Sequence, residues 1–109
     1  MERSWRENSI VATDSADTIA DGIAIREPID ESMPPLHAYV DEMMLVSDER
    51  VIEAMKALFE RDNLVAEPSG AVSLAAAMQE ASMISGQTVA TIVCGSNIDP
   101  SGRAQWLSV

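Results

Sequence analysis

The chemistry this sequence offers is concentrated at a few side chains. Cys94-Gly95-Ser96-Asn97 closes the apolar run Thr88–Cys94, where a chain leaving a buried strand must turn sharply. In open α/β sheets ligands bind in the crevice beyond the carboxyl ends of the strands. A thiol at that point, followed by glycine, would present a soft donor and acceptor to that crevice. Otherwise a lone buried cysteine is an ordinary small hydrophobe. Glu67, ahead of Pro68-Ser69-Gly70, is the second candidate. A carboxylate beside a helix N-terminus is stabilised by the unpaired N–H groups there, which is a sufficient structural reason for it. A functional role needs a ligand nearby. Asp17 and Asp21 are four residues apart and would share a helix face, although capping is the commoner use of such a pair. His37 follows the pair Pro34-Pro35 and is expected to be exposed in a loop. Met33, Met43, Met44, Met55, Met78 and Met83 are most simply core filler.

These residues need elements to position them. Residues 1–13 are polar and mixed, and read as an irregular N-terminal arm, with a single domain portion over 14–109. Asp14 to Thr18 offer N-caps ahead of Ile19, Ala20, Ile23 and Ala24, which fit one helical face interrupted by Gly22. Pro28, Pro34 and Pro35 break the next stretch, so a helix restarts around Leu36 to Val40. Met43-Met44-Leu45-Val46 reads as a short buried strand.

Ser47 then caps a helix over 48–61. Asp48 and Glu49 stand in its first turn, and Val51, Ile52, Met55, Leu58 and Phe59 recur at helical spacing. After a turn over 64–70, Pro68 suits a first helical position, so a second helix starts at Ser69 or Gly70 and runs to about Met83. It is small-sided almost all round, which suits burial against several neighbours. Thr88–Cys94 lacks polar alternation and reads as a second buried strand of a parallel sheet. The fold class is α/β, a partial parallel sheet of two buried strands flanked by helices. Sheets usually hold about four to six strands. The missing strands are expected either in a partner or in a larger whole of which this chain is a piece.

Composition narrows the role. Of 109 residues 47% are hydrophobic but only 4% aromatic, so the core must be aliphatic, alanine and methionine. Eighteen acidic against seven basic residues give a net charge of −11, which repels phosphate backbones and anionic lipid. Neither a nucleic-acid partner nor a membrane partner is expected. No apolar run approaches the ~20 residues needed to span a bilayer. Met1 to Arg6 leads into no stretch of signal-peptide type, so a cytoplasmic location is expected. One cysteine excludes an internal disulfide, and one cysteine with one histidine excludes a His/Cys zinc site; no metal is expected.

Four ordered motifs resemble a known family. Asp17-Thr18-Ile19-Ala20-Asp21-Gly22-Ile23-Ala24-Ile25-Arg26 resembles the TIADG segment of the serine/threonine dehydratases, pyridoxal-phosphate enzymes of fold type II. Val46-Ser47-Asp48-Glu49 resembles their VSD/E helix start, and Val65-Ala66-Glu67-Pro68-Ser69-Gly70-Ala71 their (V/I)EPSGA turn. Val89 to Asp99 is similar to their strand and C/S-G-G-N-I turn, and Ser4-Trp5-Arg6 to a segment before TIADG in one branch. The resemblance covers nearly the whole chain and implies the C-terminal part of the catalytic domain of a threonine or serine ammonia-lyase.

The resemblance implies roles residue by residue. Cys94 matches the Ser or Cys that contacts the pyridine nitrogen of pyridoxal 5'-phosphate. A thiol there, unlike a carboxylate, would not hold the ring protonated, which suits β-elimination of water. Glu67 matches a glutamate near the ring, Gly22 matches backbone close to the substrate, and Gly95 and Asn97 shape the turn around the ring. Ser96 departs from the motif's second glycine, and a side chain there would crowd the ring edge or reorient the turn. The family's Schiff-base lysine, phosphate loop and divalent-metal site lie upstream of the matching segment. The only lysine, Lys56, sits mid-helix and matches no catalytic position, and the five glycines form no cluster.

The chain alone is therefore expected neither to hold the cofactor stably nor to catalyse, and to be marginally stable. Its expected partner is the missing N-terminal half or a full-length paralogue. The complete enzyme would be a homo-oligomer deaminating L-threonine or L-serine to a 2-oxo acid. A non-catalytic interaction or regulatory subunit, and a segment of a serine racemase-like enzyme, are the alternatives.

Overall fold

In the computed structural model residues 1–108 are described, and they divide into two units. The first comprises Met1–Thr18 and Ile23–Leu45; the second comprises Ile19–Gly22 and the chain from Val46 onward.

The second unit is built on two helices, α3 over Asp48–Asp62 and α4 over Pro68–Gln79. Ser47 caps α3 as its spacing predicts, its hydroxyl accepting the Arg50 N–H at 3.4 Å. The helix stops at Asn63, whose left-handed backbone (φ 55°) turns its N–H onto the Leu58 and Phe59 carbonyls. Val51, Ala54, Met55 and Leu58 are buried along one α3 face, at the i, i+3, i+4, i+7 positions of a single stripe. On α4 the buried positions are Pro68, Gly70, Ala71 and Ala75. With no large side chain in between, α4 approaches α3 closely, and Met55, fully buried, is the largest side chain in the shared core.

Ile98 and Leu107 close that core from the C-terminal side. They flank a helical turn at Pro100–Gly102, α5, which continues as a wider π-turn over Arg103–Leu107. Asp99 caps α5, its carboxylate accepting the Gly102 N–H at 2.6 Å and the Ser101 hydroxyl at 2.9 Å.

In the first unit, the expected irregular arm carries a short helix, α1, over Glu2–Glu7. It is held by a buried Ser4, whose hydroxyl accepts the Val11 N–H at 2.9 Å, and by an Arg6–Glu2 ion pair. Helix α2 spans Met33–Tyr39, beginning earlier than Leu36 because Pro34 and Pro35 occupy its first turn, where no N–H is required. His37 is on this helix, exposed as expected, and stacks on Trp5 of α1 with ring centroids 6.0 Å apart.

Two expectations change. The helix anticipated at Ile19–Ile25 is only a 3₁₀ turn at Asp21–Ile23. Gly22 costs a helix interior about 1 kcal/mol, and so short a segment has little propagation to offset nucleation. The two buried strands are also not formed: among the described residues there is no strand ladder. A strand exists through its neighbour's N–H and C=O groups, and neither run has such a neighbour here. Residues 88–94 run extended and exposed instead, with Ile92 80% exposed. Their path is fixed from one side by the Ser73 hydroxyl, which donates to the Ile92 carbonyl at 2.8 Å. Helix α4 also stops at Gln79, short of Met83, and residues 80–87 continue as successive turns.

Candidate functional site

The N-terminus of α4 gathers chain from three directions. Pro68 stands at the first helical position, where its missing N–H is not needed, so the chain turns in tightly at Glu67. Glu67 is the N-cap by backbone (φ −71°, ψ 161°), yet its carboxylate does not cap its own helix. It reaches across to the turn after the Thr88–Cys94 run, where Oε2 accepts the Asn97 N–H at 2.9 Å. The Glu67 N–H donates to the Gly95 carbonyl at 3.2 Å, so one residue grips the turn by both backbone and side chain.

The glycines make this closeness feasible. A Cβ on Gly70 would overlap the Cys94 carbonyl, and one on Gly95 would overlap the Glu67 carboxylate. Gly95 also has φ 75°, a conformation that any other residue adopts with strain. From the third direction Gly22 lies against Ser69: a Cβ there would stand 2.9 Å from the hydroxyl and 3.9 Å from Glu67 Oε1. All five sequence-derived candidates, Gly22, Glu67, Cys94, Gly95 and Asn97, thus meet around the first turn of α4, and Cys94 is a free, exposed thiol.

Beside this cluster an open cleft of about 320 Å³ is lined by Ile19, Asp21, Pro68, Asn97, Ile98, Asp99 and Trp106. The Gly102 N–H, and after it the Ser101 hydroxyl, hold the Asp99 carboxyl below the usual aspartate range. Sequence reasoning missed Ser69, Ser73 and this C-terminal wall. Asp99-Pro100-Ser101-Gly102 did carry a signal, an N-cap residue followed by proline at the first helical position. Asp17 and Asp21 share no helix, since the residues between them are not helical. Ser96 does not have a left-handed backbone, and its carbonyl accepts the Ile98 N–H at 2.9 Å, so the turn does not require glycine there. Lys56 is exposed on α3.

This convergence of three motif segments has counterparts in known proteins. The family described as "Pyridoxal-phosphate dependent enzyme" matches residues 1–95. The chain belongs to that family.

Among relatives of this pyridoxal-phosphate family member, the L-threonine ammonia-lyase of Thermotoga maritima is 36% identical over 91% of this chain and 24% of its own length. The serine racemase of Schizosaccharomyces pombe is 33% identical over 98% of this chain and 33% of its own length. Among solved structures, maize serine racemase superposes with a TM-score of 0.81 at 31% identity, covering 95% of this chain and 34% of that one. A bacterial-type threonine deaminase superposes with a TM-score of 0.83 at 33% identity, covering 90% of this chain and 33% of that one. The fold is therefore that of a portion of a fold type II pyridoxal-phosphate enzyme, and the chain spans about a quarter to a third of the curated relatives it matches.

The residues present suit one side of that cofactor. An exposed thiol at the end of an extended segment, next to a glycine turn whose backbone is pinned from below, offers a polar contact and an unobstructed approach for a flat ring. The described residues bring neither Lys56 nor a run of glycines to this cluster. No helix among the described residues is long and apolar enough to cross a membrane.

Proposed function

We propose that this chain forms the ring-side wall of the cofactor site in a pyridoxal-phosphate-dependent ammonia-lyase acting on L-threonine or L-serine, and works together with a lysine-bearing portion outside it. The observation carrying this reading is the convergence of Gly22, Glu67, Cys94, Gly95 and Asn97 on the first turn of α4. When bound, the cofactor supplies an electron-withdrawing ring that stabilises negative charge at the α-carbon of an amino acid. The Cys94 thiol would meet the ring nitrogen as a polar contact that carries no carboxylate charge. Gly95 and Asn97 would set the turn beneath the ring edge, and the side-chain-free backbone at Gly22 would leave room for the amino acid. The α-proton would be removed by a lysine supplied from outside this chain, with loss of the β-hydroxyl and release of ammonia. The isolated chain is inactive in this reading, its partner being the lysine-bearing portion or a full-length paralogue. The complete enzyme is a cytoplasmic homo-oligomer.

Two observations favour other readings. The resemblance to a serine racemase covers 98% of this chain, so racemisation is the alternative within the same chemistry. The placement of the only lysine on the exposed face of α3 favours a non-catalytic subunit that docks on a full-length paralogue. A chimaera separates all three: this chain replaces the matching segment of the Thermotoga maritima relative, and 2-oxo acid release and D-serine formation are measured. Release of 2-oxo acid from L-threonine or L-serine, absent with this chain alone, is the expected result. D-serine formation in its place identifies the racemase reading. A folded, cofactor-loaded chimaera that does neither leaves the subunit reading.

A further inference from the structure

We propose that Glu67 is a positioning residue: its carboxylate holds the Cys94–Asn97 turn in register with α4 and does not address the substrate. The role matters for catalysis only if the function proposed above is right, but the clamp itself is a property of this chain. The residue's polar groups are already engaged. Glu67 Oε2 is taken by the Asn97 N–H at 2.9 Å, and the Glu67 backbone N–H is taken by the Gly95 carbonyl at 3.2 Å. The two bonds bracket Gly95 and Ser96, so the direction in which the chain leaves Cys94 is set from residue 67. Gly95 is packed so closely on the carboxylate that the side chain has no free swing toward it. On the opposite side Oε1 faces the backbone at Gly22, which lies against the Ser69 hydroxyl. The side chain is thus enclosed by backbone of two other segments. A charge-assisted bond to a backbone N–H is among the stronger hydrogen bonds available to a surface group, and it loses most when the acceptor is removed or drawn back.

The test uses the full 109-residue chain and needs no cofactor. Amide hydrogen exchange at Asn97, normalised to the α3 amides of Ala54 and Met55, and the rate of Cys94 modification by a soluble aromatic disulfide are compared in wild type, E67Q, E67D and E67A. E67Q keeps an acceptor oxygen at the same reach and is expected to stay within about threefold of wild type in both readings. E67A removes the acceptor and E67D withdraws it by one methylene. Both are expected to raise normalised Asn97 exchange about tenfold and to change the Cys94 rate in parallel. The proposal is overturned if E67D or E67A exchanges like wild type at Asn97, or if E67Q behaves like E67A. Should E67A fail to fold, E67D against E67Q decides the matter. These readings are independent of the chimaera, so a clamp without ammonia-lyase activity, or activity without a clamp, is recognised as such.

Discussion

Gly70 lies directly beneath the carbonyl of Cys94, so close that the two segments would collide if residue 70 carried even a methyl group. A helix N-terminus and the end of an extended run, 24 residues apart by number, are in backbone contact because one position has no side chain. The obstructing atom is backbone, with no rotamer to escape into.

Gly70→Ala is therefore expected to destabilise the chain by about 3 kcal/mol or more, at the upper end of overpacking in a dense interior. Residue 70 is helical, so alanine would otherwise be favoured there by about 1 kcal/mol. A urea midpoint at or above that of wild type would show that the Cys94 segment simply moves aside.

The two left-handed glycines separate strain from crowding. Gly86 has φ 78° with nothing within 4 Å of a Cβ position, whereas Gly95 has φ 75° and would meet the Glu67 carboxylate. Gly86→Ala is expected to cost only the conformational penalty, about 1 kcal/mol. Gly95→Ala adds an overpacking cost of about 1–3 kcal/mol. Urea unfolding of both variants checks the order, and equal losses would mean that the Glu67 side chain yields freely.

Acid should act on the C-terminal turn. Asp99 is held below the usual carboxylate range by the Gly102 N–H and then the Ser101 hydroxyl. A carboxylate whose pKa is lower folded than unfolded stabilises the fold above its unfolded value of about 4, and that stabilisation fades as pH falls through the folded value. Asp99→Asn keeps a capping side chain but removes the titration. Below about pH 4 the variant should lose less stability than wild type. Glu49, lowered by its own N–H and the Ser47 hydroxyl, continues to titrate in both. Parallel stability curves from neutral pH down through the carboxylate range would refute the assignment.

Much of the site was legible because its signals are local. The capped, periodic stretch after Ser47 announced α3, which runs Asp48–Asp62 against an expected 48–61. Pro68 marked the start of α4 because its ring suits that one helical position. Gly95 and Gly70 advertised tight backbone, and the four motifs marked which segments belong together. The five candidates meet because each lies within a few residues of a helix start or turn whose geometry its own residue types dictate.

The rest depended on partners that a linear pattern does not contain. Val89, Ile92 and Val93 have the composition of a buried strand, but burial and pairing belong to neighbouring strands, and here they lie exposed along α4. Ile19 to Ile25 had helical periodicity, yet a few residues around Gly22 give too little propagation to hold a helix alone. Nor did the sequence show that Glu67 turns away from its own helix to grip Asn97, a bond between residues 30 apart. Residue type and spacing determined which segments turn and which coil; only the packing of α4 against three incoming segments decided what those turns touch. Hydrogen bonds and excluded volume act between atoms in space, and spacing along a chain fixes neighbours only within a turn or two of helix.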